Sequence, residues 1–275
     1  TGEATFGIAG SDTIVKNIRK AIKDDSVKAL VLRVNSPGGG VYASELITNA
    51  LKEFKDTGRP IVSSMGDIAA SGGVWVTTLS DEIWAKNETL TGSIGVYATL
   101  PTFENLYDWA GIQVDGVSST KAGEWDPRLS MPENVTNAIQ ASVDDTYDNF
   151  VEKVSENRGM RYEEIHAIAK GRIWSGDKAL QLGLVDKIGN LNDAISAASS
   201  LANIQDFQVI RYFKEIDPFE AFVAELIENI DLDFKLNRHT KRFLDLIDNG
   251  YDFIDETKDI NIISYCFECE FFTAK

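Results

Sequence analysis

The stretch "GDIAASGG", residues 66–73, sets Ser71 between two alanines and two glycines, just after the strand-like run "RPIVSSM". A serine hydroxyl attacks a carbonyl only when a base stands within hydrogen-bond reach and donors wait for the oxyanion. Residues with almost no side chain let a substrate backbone come close, which makes Ser71 a candidate nucleophile. The plainer reading is a tight strand-to-helix turn with an incidental serine. A second small-residue cluster, "NSPGGG" at 35–40, also lies between a strand pattern and a helix pattern. Its N–H groups suit an oxyanion or a peptide backbone, or the segment is only a flexible turn. It meets neither G-x-G-x-x-G nor the Walker GK[ST] pattern, so a nucleotide is not the expected ligand.

The usual base for such a serine is histidine, and the chain has two. His166 falls in "YEEIHAIAKG", a helical pattern with acids on one side, and His239 falls in a charged C-terminal segment. Neither follows a strand end, so a Ser-His-Asp triad is not expected. Lysine is the alternative. Lys121, in "GVSSTKAGEWD", follows a strand-like run and is flanked by small residues. A free lysine titrates near ~10.4, so keeping its amine neutral at pH 7 costs about 4.6 kcal/mol, which burial in an apolar pocket can supply. On the residues alone, Lys121 is either that base or an ordinary loop lysine. Cys266 and Cys269, in "YCFECE", lack the second ligand pair of a structural zinc site, and a redox pair belongs earlier in a fold. Two ordinary thiols or an incidental disulfide is the simpler reading, and no metal is expected.

These groups need a scaffold, and the periodicity supplies one. Helical spacing predicts helices over 11–25, with Ser11 or Asp12 as N-cap, and over 41–55. Strands are predicted over 27–35, in "RPIVSSM", at 82–86, at 92–98 and in "IQVDGVSS". A helix start follows Ser71, a short helix covers 101–111, and one long amphipathic helix runs over 131–159 between a Pro and a Gly. Shorter helices follow in "RYEEIHAIAKG", "SGDKALQLGLVD" and "NLNDAISAASSLA", then a late strand in "DFQVIRYF". Strands alternating with helices mean an α/β fold, a largely parallel sheet of βαβ units flanked by helices.

The 275 residues carry 27 Lys and Arg against 43 Asp and Glu, a net charge of −16. Such a field argues against nucleic acid as a partner and against a basic patch on anionic membranes. No run of about 18 apolar residues occurs, so no membrane span is expected. The first residues, "TGEATFGIAGSDTIVK", have no basic region ahead of an apolar run and do not read as a signal peptide. Composition shifts near residue 227. Residues 1–227 read as the main domain, and 228–275 as a charge-dense tail subdomain or oligomerisation arm ending in a strand-like run.

Together, "VLRVNSPGGG", "GDIAASGG" and "TLTGSIGV", in that order and at that spacing, resemble the signal peptide peptidase A (protease IV) family of serine proteases. "GRIWSGDKALQLGLVDKIGNLNDAI", at 171–195, extends the likeness over residues 27–201. The tail's "YCFECE" is similar to the C-terminal end of long-form members, so the chain resembles the C-terminal catalytic half of one. The resemblance implies a crotonase/Clp-protease-like fold and a serine endopeptidase with a Ser-Lys dyad, without cofactor or metal. It implies Ser71 as nucleophile, oxyanion donors at Gly72 and at Gly38 or Gly39, and Ser93 orienting the lysine. Short-form members carry that lysine in a "KSG"-like motif downstream; here "TKAG" offers Lys121, 50 residues after Ser71. Long-form members take it from a homologous N-terminal half, and this chain would then hold half an active site. The implied partners are signal-peptide remnants and other small apolar peptides, further copies of the chain in a closed homo-oligomer and, in long forms, the N-terminal half. The implied place is the periplasmic side of the bacterial inner membrane. The alternatives are a half-site or non-catalytic subunit, and a crotonase-type acyl-CoA enzyme, which would need carboxylates as acid and base.

Overall fold

The computed structural model describes residues 9–117, 119, 125–212 and 271–274. Lys121, His239, Cys266, Cys269 and the boundary near residue 227 lie outside these residues. Along the chain the elements run α1 (Ser11–Lys23), β1 (Leu30–Ser36), α2 (Val41–Lys55), β2 (Ile61–Ala70), α3 (Gly72–Trp75), β3 (Glu82–Ala85), β4 (Leu90–Gly92) and α4 (Glu104–Trp109). They continue with α5 (Glu133–Arg158), α6 (Tyr162–Ile168), β5 (Ile173–Ser175), α7 (Gly176–Gln181), β6 (Lys187–Ile188), α8 (Leu191–Leu201), β7 (Val209–Tyr212) and β8 (Phe271–Ala274).

The sheet is built around β2. It pairs in parallel with β1 along most of its length, with β3 near its start and with β4 over its last three residues. β6 extends the β3 side in parallel. The edges are antiparallel: β5 on β4, β8 on β1, and β7 on β8. The expected parallel sheet therefore describes the centre, and the short edge strands, of which β5 and β6 had no clear signal of their own, make the whole sheet mixed.

Side chains alternate across the central strands and build two apolar layers. Leu30, Leu32 and Val34 share one cluster with Ile14 and Ile18 of α1 and with Leu51 and Phe54 of α2. Ala29, Val31 and Val62 face the other way, onto Ala194 and Ala198 of α8. Of the 26 residues of α5, only Phe150, Val151 and Val154 are buried. The helix thus docks by its C-terminal half, and Gly159, at φ 60, ends it as the sequence predicts. Among the described residues no helix is long and apolar enough to cross a membrane.

Four local expectations need correction. Gly10, not Ser11 or Asp12, is the α1 N-cap; Ser11 is already helical and buried, its hydroxyl donating to Asp12. β2 runs through "GDIAA" to Ala70, so the turn begins only at Ser71. Residues 93–98 are not a strand: Gly92 and Ser93, at φ 87 and φ 50, swing the backbone away from the sheet. Residues 112–117 are not a strand either: Ile112 and Val117 stand exposed, and no neighbouring strand pairs with this segment among the described residues.

Candidate active site

Three parallel strands end at the same edge of the sheet, where α/β folds gather their sites. Their register decides what meets there. Ser36 pairs with Ala69, and Ala70 pairs with Gly92. The 37–40 loop, Ser71 and Ser93 therefore leave the sheet side by side.

Between Val34 and Ser36 the β1–β2 register slips, because β2 advances from Met65 to Ala69 while β1 moves two residues. Asn35 fills the gap. Its Oδ1 accepts from the N–H of Asp67 at 3.0 Å and of Ile68 at 3.2 Å. This also explains Gly66: a Cβ there would lie 2.5 Å from that same oxygen.

Ser71 sits between β2 and α3 at φ 51, ψ −117, a conformation that costs a non-glycine residue about 1–3 kcal/mol and is held only when its surroundings over-determine it. Here its N–H donates to the Gly92 carbonyl at 2.9 Å, and its own carbonyl accepts from the N–H of Val74 at 2.9 Å and of Trp75 at 3.0 Å. Ser93 is the second strained serine, its N–H donating to the Arg172 carbonyl at 2.6 Å.

The two glycine clusters exist for each other. A Cβ at Gly38 would stand 2.8 Å from the Ser71 Cβ, and one at Gly72 would stand 2.7 Å from the Ser44 Oγ and 3.1 Å from the Gly39 nitrogen. The Gly38 N–H donates to the Ser36 Oγ at 3.2 Å. The N–H groups of Gly39 and Gly72 have no protein acceptor among the described residues, and neither do the hydroxyls of Ser71 and Ser93 find a protein partner there. Two close backbone donors and an uncommitted hydroxyl are the arrangement that acyl transfer requires.

All five of these residues, Gly38, Gly39, Ser71, Gly72 and Ser93, line one cavity of about 800 Å³. Its remaining wall is largely apolar, with Val41, Trp75, Val96, Tyr97 and Phe150, together with Tyr147 and Lys170. No carboxylate lines it among the described residues, so the acid and base of an acyl-CoA reading are missing there. Nor does any cluster of three His, Cys, Asp or Glu side chains suited to a metal occur among the described residues.

Several wall residues had no distinct signal in the sequence. Tyr147 and Phe150 read only as part of an amphipathic helix. Lys170 takes φ 58 and lies beside Gly95, where the Gly171 N–H donates to the Ile94 carbonyl at 3.0 Å. The Tyr147 hydroxyl pairs with His166 Nδ1 at 3.0 Å, and burial raises its pKa above the usual tyrosine value. His166 also stacks on Tyr162, at 5.6 Å between ring centroids, and so supports the wall rather than lining the cavity.

The sequence profile of peptidase family S49 matches residues 53–205, more than half of the chain. The chain belongs to peptidase family S49. It is 41% identical to Protease 4 of Haemophilus influenzae over 214 residues, 76% of this chain and 35% of that protein. It is 40% identical to Protease 4 of Salmonella typhi over 78% of this chain and 35% of that protein. It is 34% identical to the chloroplastic serine protease SPPA of Arabidopsis thaliana over 70% of this chain and 29% of that protein. The chain thus spans about a third of the length of these S49 relatives. The matched region holds Ser71, Gly72 and Ser93, while the 37–40 loop lies just ahead of it.

Proposed function

We propose that this chain carries the nucleophile of a serine endopeptidase acting on signal-peptide remnants and other small apolar peptide segments. Ser71 attacks the peptide carbonyl and forms an acyl-enzyme, with its proton passing to a neutral lysine amine that then returns it to the leaving amine and next activates water. The N–H groups of Gly72 and Gly39 hold the oxyanion; Gly39 is preferred to Gly38, whose N–H is engaged by Ser36. Lys121 is the base and Ser93 orients it. The crotonase/Clp-protease-like architecture, action as a homo-oligomer and a place at the periplasmic face of the bacterial inner membrane belong to the same reading.

The observation that carries this reading is the strained Ser71 backbone, held against the glycine loop at the mouth of a largely apolar cavity. The serine-protease name of the Arabidopsis relative supports the serine-type mechanism. The test is hydrolysis of an apolar peptide by the wild-type chain and by a folded Ser71→Ala variant. Loss of turnover to background supports the assignment, and substantial turnover by the variant rejects it.

A second reading keeps Ser71 and takes the lysine from a homologous segment outside this chain. The 35% share of the Protease 4 length favours it. Under that reading the isolated chain is inert, and adding a homologous segment that carries the lysine restores hydrolysis.

A further inference from the structure

Trp75 lines the cavity, but its indole is anchored from behind. Its Nε1–H donates to the Glu45 Oε2 at 3.0 Å, and Lys153 donates to the other oxygen of that carboxylate at 3.3 Å. The Lys153 ammonium also stands 5.7 Å from the centre of the indole ring, a cation–π distance. The indole also packs on Phe150, 4.7 Å between centroids and tilted by 40°. Glu45 and Lys153 themselves line a second cavity, about 580 Å³, whose wall is mainly polar. Trp75 thus lines the apolar cavity that holds Ser71, while the pair that anchors its indole lines the polar one.

This wall residue is rigidly coupled to the reacting group. Trp75 lies four residues after Ser71, and its N–H donates to the Ser71 carbonyl at 3.0 Å. Glu45 belongs to α2, which begins directly after the 37–40 loop, and Lys153 belongs to α5 one turn beyond Phe150. The anchoring pair thus ties together the three helices that bound the cavity. Neither charge is deeply buried, with side-chain exposures of 35% for Glu45 and 26% for Lys153, so their value is orientation rather than stability.

We infer that Trp75 sets the size of the substrate side chain accepted beside the scissile carbonyl, with Glu45 and Lys153 as positioning residues that hold the indole in place. This rests on the cavity being the peptide site proposed above. With the indole fixed, the wall closes the cavity to large side chains. With the indole truncated or released, the cavity gains depth toward Glu45 and Lys153.

The test compares peptides that differ only in the residue on the acyl side of the cut bond, Ala against Phe. Wild type is expected to favour Ala. Trp75→Ala and Glu45→Leu should each raise the Phe-to-Ala ratio of kcat/KM by about tenfold or more, the range in which pocket size discriminates. Glu45→Gln should keep the ratio within about twofold, because the amide oxygen still accepts the indole N–H. Trp75→Phe serves as the variant most certain to fold and should give an intermediate ratio. The same comparison is made by binding in a Ser71→Ala background, following NMR shifts on titration with peptide carboxylates ending in Ala or Phe, so that it does not depend on turnover. A ratio unchanged in Trp75→Ala and Trp75→Phe, or equal changes in Glu45→Gln and Glu45→Leu, overturns the inference. A shifted binding ratio with no hydrolysis by any form rejects the reading in which this chain is active alone and leaves this assignment of Trp75 standing.

Discussion

A methyl group at Gly38 would stand 2.8 Å from the Ser71 Cβ on a backbone at φ 124, which L side chains rarely adopt. Gly38→Ala must therefore push the loop away from the serine. Because a displacement of about 1 Å at a reacting group can cost ~10²-fold, we expect at least that loss in kcat/KM. Gly40→Ala, where the new carbon meets nothing within 4 Å, should cost far less. Equal losses in the two variants would remove the steric explanation. The base is tested by charge. If Lys121 accepts the Ser71 proton, it acts neutral, so activity rises with pH through its depressed pKa and is lost as the amine protonates below it. Lys121→Ala should be nearly as damaging as Ser71→Ala, and Lys121→Arg should not rescue it, since guanidinium stays charged. Lys170, the lysine that lines the cavity, is the control: Lys170→Ala should retain most of the turnover. The reverse order, with Lys170→Ala inactive and Lys121→Ala active, would move the base to Lys170.

The strand ends do the positioning, and Asn35 is what makes two of them fit. Its carboxamide satisfies two β2 N–H groups across the register slip, so Asn35→Ala strands them. Asp67 is exposed and its N–H can turn to water, which limits the cost to about 1–3 kcal/mol by chemical denaturation. Asn35→Asp, which keeps an acceptor oxygen, should recover most of it. No change in the alanine variant would mean that the bulge is held by the strands alone. Much of this site was legible beforehand. Small residues at strand ends advertise a close approach, and the long helix with its Pro and Gly boundaries was plain. The slip was not legible, since a register is a property of two strands and "VNS" reads the same in or out of step. For the same reason "GSIGVYA" has a strand's residues yet leaves the sheet at Gly92, and the edge strands, two to four residues long, offer too little pattern to read. Trp75 and Phe150 fell inside helix patterns with no signal of their own, because their role as a wall arises from two helices far apart in sequence.

At the scale of the molecule, apolar side chains among the described residues stand exposed between β4 and α5. Between β4 and α5 the chain makes an excursion in which α4 buries no residue and Tyr97 and Trp109 are 88% and 84% exposed. Leu106 and Ile112 are exposed in the same excursion. Exposed apolar side chains gathered in one segment can mark an interaction face. We expect copies of the chain to associate through it, so that light scattering at micromolar concentration finds an oligomer in wild type and a smaller species in Trp109→Asp. A wild-type monomer with full peptidase activity would refute that. The tail, where the charge pattern suggested an arm, meets the sheet at β8, which lies between β1 and β7. Narrower than any assembly is the role proposed for Ser71, a strained serine framed by glycines, as the nucleophile. Its most direct measurement is reaction with a fluorophosphonate followed by mass-spectrometric mapping of the adduct. We expect a single phosphonyl group on Ser71, absent from Ser71→Ala and slowed by an apolar peptide. An adduct on another serine, or none at all in a preparation that cleaves peptide, would contradict it.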